Sequence, residues 1–123
     1  MYDHDPLTQL IIGCAIEVHR QLGPGLLEAT YEEALCIELT AARLPYKRQV
    51  RVPVLYKGHL IGEHRPDLVV SETVVVEIKS VESLHAVHQA QTLAYMRVLH
   101  LPVGLLMNFN SAVLRTSIRR LAI

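Results

Sequence analysis

The chain has 123 residues, of which 50% are hydrophobic, and its 12 basic and 12 acidic side chains give a formal net charge of zero. This length allows one domain, and the composition excludes a disordered or collagen-like chain. The charge balance excludes a general attraction to nucleic acid or anionic membranes, so a polyanionic partner would have to be held locally. We therefore expect a single globular domain over residues 1–123.

The sequence contains no apolar run near the ~20 residues that a membrane helix requires. Residues 1–5 include acidic side chains where a signal peptide would carry basic ones. We therefore expect a cytoplasmic protein with no membrane partner. Cys14 and Cys36 have neither a metal-binding nor a disulfide spacing, which predicts buried thiols.

The N-terminal part predicts two helices. Asp5 followed by Pro6 is typical of a helix N-cap with proline in the first turn, and the helical periodicity continues to Leu22. The run at 23–25 lacks the lysine and hydroxyl of a phosphate-binding loop, so it predicts a plain turn between helices. A second helix is predicted over about residues 26–43.

The rest of the chain predicts a mixed sheet. A helix over about residues 84–100, capped by Ser83, lies between two strands, and such a unit should be parallel and right-handed. Pro53 indicates an edge strand, whereas the β-branched run at 73–79 indicates a central one. The fold class is therefore α/β or α+β, with a sheet flanked by helices. The predicted strands span residues 46–56, 59–63, 66–70, 73–79, 103–109 and 113–119.

Two carboxylates and a lysine are predicted to meet on adjacent strands. If the hairpin turns on a three-residue loop centred at Glu72, then Asp67 lies opposite Glu77. Because side chains alternate along a strand, Glu77 and Lys79 share one face and Ile78 points to the other. The two carboxylates and the backbone carbonyl of Ile78 form an oxygen ligand set that suits Mg²⁺ or Mn²⁺.

The alternative for these charges is an ion pair at a sheet edge, between Glu77 and Lys79 and between Asp67 and a nearby arginine. The apolar residues around them favour a functional role, because an unpaired carboxylate in a central strand is costly.

Seven separated motifs occur in one order along almost the whole chain. They are LGPG at 22–25 with His19 before it, GLLEATY at 25–31, PVLY at 53–56, DLVV at 67–70, VEIKSV at 76–81, HQAQ at 88–91 leading to Tyr95, and GLLMNF at 104–109. Together they resemble the motifs of the GxxExxY proteins, a bacterial group placed in the PD-(D/E)XK nuclease superfamily. The resemblance implies a restriction-endonuclease-like core with a mixed central sheet flanked by helices.

The resemblance also implies roles for individual residues. In the RecB-like branch, a GxxE helix, an Asp, an ExK strand and a QxxxY helix surround one divalent metal site. The implied metal ligands are Asp67, Glu77, the backbone carbonyl of Ile78, and Glu28 directly or through water. The implied catalytic residues are Lys79, which would orient or deprotonate the attacking water, with Glu77, Asp67 and Glu28. The implied substrate-binding or supporting residues are Gln91, Tyr95 and Tyr31.

Three of these residues have structural alternatives. Glu28 would be favoured by the helix dipole in any first turn, and Tyr31 and Tyr95 fit core aromatics with a hydrogen-bonded hydroxyl. Gln91 and Tyr95 are spaced to share one helix face.

The function implied is hydrolysis of nucleic-acid phosphodiester bonds with Mg²⁺ or Mn²⁺, and DNA is favoured over RNA as the partner. One alternative is a nucleic-acid-binding or accessory protein on the same fold, with weak or absent catalysis. Another is a metabolic enzyme or an interaction module. Basic clusters at 43–51 and 115–120 are candidates for phosphate contacts. Exposed strand edges allow a homodimer.

Overall fold

The computed structural model describes residues 5–123. Its helices are α1 (Pro6–Leu22), α2 (Glu28–Ala41) and α3 (Ala86–Leu99), and a 3₁₀ turn spans Leu114–Ser117. Its strands are β1 (Tyr46–Arg48), β2 (Val52–Tyr56), β3 (His59–His64), β4 (Leu68–Val70), β5 (Val74–Lys79), β6 (Val103–Asn108) and β7 (Ile118–Ala122). Within this described range, no helix combines the length and the apolar character needed to cross a membrane.

A five-stranded mixed sheet in the order β1-β4-β5-β6-β7 organises the fold. The pair β5 and β6 is parallel and has α3 in its connection, whereas the other neighbouring pairs are antiparallel. The predicted mixed α and β fold is confirmed, and β5 is the central strand, as its β-branched sequence predicts.

Helices cover both faces of this sheet. Val74, Val76 and Ile78 are fully buried in a core that they share with residues of α1 and α2. Val75, on the opposite face of β5, packs against Tyr95 and Met96 of α3. The strand's alternation therefore directs Glu77 and Lys79 toward the α3 side.

The two N-terminal helices form largely as predicted. The Asp5 carboxylate accepts a hydrogen bond from the Leu7 N–H at 3.0 Å, with Pro6 in the first turn. α1 ends at Leu22, and its C-cap is Gly23, whose φ of 68° is a conformation that glycine adopts at little cost. α2 begins at Glu28, two residues later than predicted, because Leu27 is still extended.

The prediction of one continuous strand over residues 46–56 is wrong. β1 belongs to the main sheet, whereas β2 pairs with β3 in a separate two-stranded sheet. The chain changes direction at Gln49, which adopts a left-handed φ of 53° and interrupts the extended backbone. The predicted hairpin turn at Lys57 and Gly58 is confirmed, and both residues have positive φ.

Two boundaries in the C-terminal half also differ from the prediction. α3 starts at Ala86 and its N-cap is His85, whose backbone N–H donates to His88 Nδ1 at 2.9 Å, so Ser83 is not the cap. The predicted strand over 113–119 is wrong at its start. The N–H and hydroxyl of Thr116 donate to the Val113 carbonyl and form the local 3₁₀ turn, so β7 follows only after it.

Candidate active site

The hairpin of β4 and β5 has the predicted register. Val70 pairs with Val74 and Leu68 with Val76, which leaves a three-residue loop centred at Glu72. Glu72 adopts a left-handed φ of 55° and so does its neighbour Ser71, at 52°, and the Thr73 N–H donates to the Val70 carbonyl at 3.0 Å. Continued one pair further, this register brings the two predicted carboxylates opposite each other.

Asp67 and Glu77 hold each other in place through the backbone. The Asp67 N–H donates to Glu77 Oε2 at 2.6 Å, and the Ile78 N–H donates to Asp67 Oδ2 at 2.8 Å. Glu77 is only 3% exposed. In each carboxylate, one oxygen therefore accepts a hydrogen bond from a backbone N–H, and the second oxygen can contact a further ligand.

The environment of this pair disfavours two negative charges. Burial, with a second contribution from the charge of Asp67, raises the pKa of Glu77 to about 8. Burial also raises the pKa of Asp67, although the hydrogen bond from the Ile78 N–H acts in the opposite direction. Carboxylates that burial and nearby negative charge disfavour as anions are suited to a site that receives a cation.

Lys79, Gln91 and Tyr95 meet on the α3 side of β5, as predicted. Lys79 Nζ donates to Gln91 Oε1 at 3.3 Å. The Gln91 side chain also lies beside that of Tyr95, and the pKa of Tyr95 is raised, first by burial and then by the charge of Glu77. One turn of α3 therefore carries two polar side chains to the face that bears the lysine and the acidic pair.

Glu28 reaches the end of β5 from the first turn of α2. Its Oε2 accepts the Ser80 N–H at 3.2 Å, and the Ser80 hydroxyl donates to the Leu26 carbonyl at 2.7 Å. No role for Ser80 was predicted from the sequence, although its hydroxyl directly follows Lys79. These hydrogen bonds of Ser80 connect the N-terminus of α2 to the end of the strand that carries Glu77.

Tyr31 lies inside the fold. Its ring is fully buried and stacks on Phe109 with centroids 4.6 Å apart. Its hydroxyl donates to the Gly23 carbonyl at 2.6 Å and accepts the Leu26 N–H at 3.1 Å. Tyr31 therefore has the contacts of a core aromatic with a hydrogen-bonded hydroxyl, which is the structural alternative considered for it. Through these contacts Tyr31 supports the turn that precedes Glu28.

Gln49 and Glu32 lie next to the acidic pair, although no site role was predicted for them from the sequence. Gln49 Nε2 lies 3.1 Å from Glu32 Oε1 and 3.5 Å from Asp67 Oδ1. Arg48, predicted as a candidate phosphate contact, instead binds two glutamates, with its Nη2 2.7 Å from Glu32 and 2.8 Å from Glu33. The partners in these contacts lie 15 to 18 residues apart along the chain, so local sequence patterns do not reveal them.

The metal ligands predicted from the sequence are brought together only in part. Within residues 5–123, no group of three or more His, Cys, Asp or Glu side chains lies close enough to hold a metal ion. Asp67 and Glu77 are the adjacent carboxylates, and Glu28 is not joined to them as a third.

Comparison with the models of known protein families identifies a match. The model of a family described as PD-(D/E)XK nuclease superfamily matches residues 5–121. No curated protein and no solved structure matches the chain. The matched segment includes α1, α2 and α3 and all the candidate site residues.

Proposed function

Because the chain belongs to the PD-(D/E)XK nuclease superfamily, we propose that it is a metal-dependent nuclease that hydrolyses phosphodiester bonds of nucleic acid. The observation that carries this proposal is the pair formed by the buried Glu77 and the half-buried Asp67 beside Lys79. Membership of the GxxExxY group is part of the same proposal and rests on the seven motifs.

The donor set suits Mg²⁺ or Mn²⁺, because both cations prefer oxygen ligands. Asp67 and Glu77 would each supply one carboxylate oxygen. When bound, the cation would supply Lewis-acid stabilisation of the phosphate charge and a lowered pKa for water. Glu28, held at the Ser80 N–H, would contribute through water.

The carbonyl of Ile78 is a third candidate ligand for a physical reason. The Lys79 carbonyl accepts the Phe109 N–H on the β6 side, so Ile78 directs its own backbone groups toward β4. The continued register places Pro66 opposite Ile78, and proline has no N–H to donate. The Ile78 carbonyl, next to the acidic pair, therefore has no backbone N–H opposite it on the neighbouring strand from which to accept a hydrogen bond.

Lys79 would act on the attacking water and on the phosphate. Its ammonium is positioned by Gln91 Oε1 on the face of β5 that carries Glu77. From there it would orient the water for attack and balance the negative charge that develops on the phosphate. Gln91 and Tyr95 would support this arrangement from α3.

A polar hollow beside the end of β6 is suited to the flanking phosphates of the substrate. It has a volume of about 300 Å³, and its lining includes Ser83, Asn110, Ser117 and Arg119. Its wall also includes Asn108, which pairs with Lys79 in the sheet. DNA as the preferred substrate, a homodimer and a cytoplasmic location remain predictions from the sequence.

A cleavage assay tests this proposal. Labelled single- and double-stranded DNA and RNA are incubated with the protein in Mg²⁺, Mn²⁺ or EDTA. We expect cleavage to require the metal and to fall by about 10²–10⁴-fold in Lys79→Ala, the range typical for loss of a residue that acts on a transferred proton. Lys57→Ala, which removes a lysine from the exposed hairpin turn, is the matched control and should cleave like the wild type.

Three results would contradict the proposal. Cleavage that persists in EDTA would exclude the metal, and equal loss in Lys57→Ala would exclude a specific role for Lys79. Binding of nucleic acid without cleavage under every condition would favour the accessory-protein alternative instead.

A further inference from the structure

We propose that Gln49 is a positioning residue for Asp67, and that its side-chain amide sets the orientation in which this carboxylate receives the metal. This inference rests on the proposed function, because it assigns a metal ligand to Asp67. It adds a residue that lies on the loop after β1, whereas the other site residues lie on or beside the hairpin of β4 and β5 or on the helices α2 and α3.

Gln49 contacts Asp67 through both its backbone and its side chain. The Gln49 N–H donates to the Asp67 carbonyl at 3.0 Å. Its Nε2 lies 3.5 Å from Asp67 Oδ1 and 3.1 Å from Glu32 Oε1. An amide nitrogen has two N–H donors, so one is available for each carboxylate.

Glu32 is a fixed anchor for that amide. Its side chain is nearly buried, with 7% of the residue exposed, and its Oε2 accepts the Arg48 Nε at 2.9 Å. Arg48 is held in turn by Glu33 at 2.8 Å. Because these contacts fix the position of the Glu32 carboxylate, its hydrogen bond to Gln49 directs the second N–H of the amide toward Asp67.

The two oxygens of Asp67 are then contacted from two directions. Oδ2 accepts the Ile78 N–H at 2.8 Å, and Oδ1 faces the Gln49 amide. Contacts on both oxygens restrict rotation of the carboxylate plane, and Oδ1 retains a second lone pair for a ligand. Groups that orient a metal ligand in this way tune the affinity for the metal.

The backbone of Gln49 is consistent with this role. Its φ of 53° is one that non-glycine residues rarely adopt, and it is held there by contacts to two other elements. The same turn separates β1 from β2 and places the side chain between α2 and β4. A glycine would adopt this backbone more readily but would lack the amide.

Binding of Mn²⁺ to the full chain, followed by electron paramagnetic resonance, tests the inference. Gln49→Gly removes the amide and suits the left-handed backbone, whereas Gln49→Met keeps the side-chain length without N–H donors. Gln21→Ala is the matched control, because Gln21 makes an amide–carboxylate contact of 3.0 Å with Glu17 on the exposed side of α1. Thermal unfolding in EDTA measures the stability of each variant.

We expect both Gln49 variants to bind Mn²⁺ about 10- to 100-fold more weakly than the wild type, and Gln21→Ala to bind it equally well. The two variants should differ in stability, because glycine relieves the left-handed backbone and methionine does not. If Gln49 had only a structural role, the Mn²⁺ affinity of the two variants would follow their stability. The more stable variant would then bind Mn²⁺ like the wild type.

The outcomes separate this inference from the proposed function. Wild-type affinity in Gln49→Gly or Gln49→Met would overturn the positioning role and leave the nuclease proposal standing. If the wild-type protein bound no Mn²⁺, both would be overturned. If one variant failed to fold, the affinity of the other would decide.

Discussion

At the scale of single residues, Glu77 makes stability depend on pH. Its pKa is about 8 in the folded chain against 4.5 as the ordinary value, so folding favours the protonated form. The stability that it contributes is fully present below pH 4.5 and is lost as the pH rises through 8. We expect Glu77→Gln, which cannot ionise, to be more stable than the wild type at pH 9 in EDTA by a few kcal/mol, on the order that such a shift implies.

Urea unfolding at pH 4 and pH 9 measures this effect. The advantage of Glu77→Gln should be present at pH 9 and absent at pH 4, and saturating Mg²⁺ should reduce it by stabilising the wild type. Glu82→Gln, a change at an exposed position, should show no such pH dependence. If the wild-type protein gained stability relative to Glu77→Gln as the pH rises, the pKa of Glu77 would not be raised by burial in the folded chain.

At the scale of elements, the turn between α1 and α2 depends on one hydroxyl. The Tyr31 hydroxyl bonds both the Gly23 carbonyl and the Leu26 N–H. We expect Tyr31→Phe to lower the free energy of unfolding by about 1–3 kcal/mol, because it leaves partly buried backbone groups without their partner. Denaturant unfolding measures the loss.

Tyr56→Phe provides the comparison for this change. Tyr56 is 59% exposed, so removal of its hydroxyl should alter stability by no more than about 0.5 kcal/mol. If Tyr31→Phe left stability unchanged but raised the KM for nucleic acid, Tyr31 would be a substrate contact and its structural assignment would be wrong.

The sequence predicts those elements whose contacts are local. The register of β4 and β5 follows from strand alternation around Glu72, and α1 follows from Asp5, Pro6 and a helical apolar period. The site position of Glu28 could be predicted only from its motif, because its hydrogen-bond partner Ser80 lies 52 residues away in the sequence.

The errors arise where distant contacts override a local pattern. Alternating residues continue through Gln49, yet bonds to Glu32 and Asp67 hold it in a left-handed turn and split the predicted strand. Arg48 was predicted to be available for a phosphate contact for the same reason. The two glutamates that the fold brings to it are distant from it in the sequence.

At the scale of the whole molecule, ion pairs already occupy much of the positive charge. The chain has 12 basic residues and a net charge of zero. Within the part of the chain that the structure describes, six of the 12 lie within 4.0 Å of an acidic side chain, namely Arg20, Lys47, Arg48, Arg51, Arg65 and Arg120. Few cations are therefore left to neutralise the phosphates of a bound duplex.

Salt dependence measures how many phosphates the protein contacts, because each one adds about 0.9 to the slope of log affinity against log salt for duplex DNA. We expect a slope of magnitude below about 4, measured by fluorescence anisotropy with the Lys79→Ala variant in Mg²⁺. Arg119→Ala should reduce that slope by about 1, since Arg119 lines the polar hollow beside β6. Arg20→Ala, whose partner is Glu17 on α1, should leave it unchanged. A slope of about 6 or more would require a basic surface that this charge distribution does not provide, and would place the duplex on the ion-paired arginines instead.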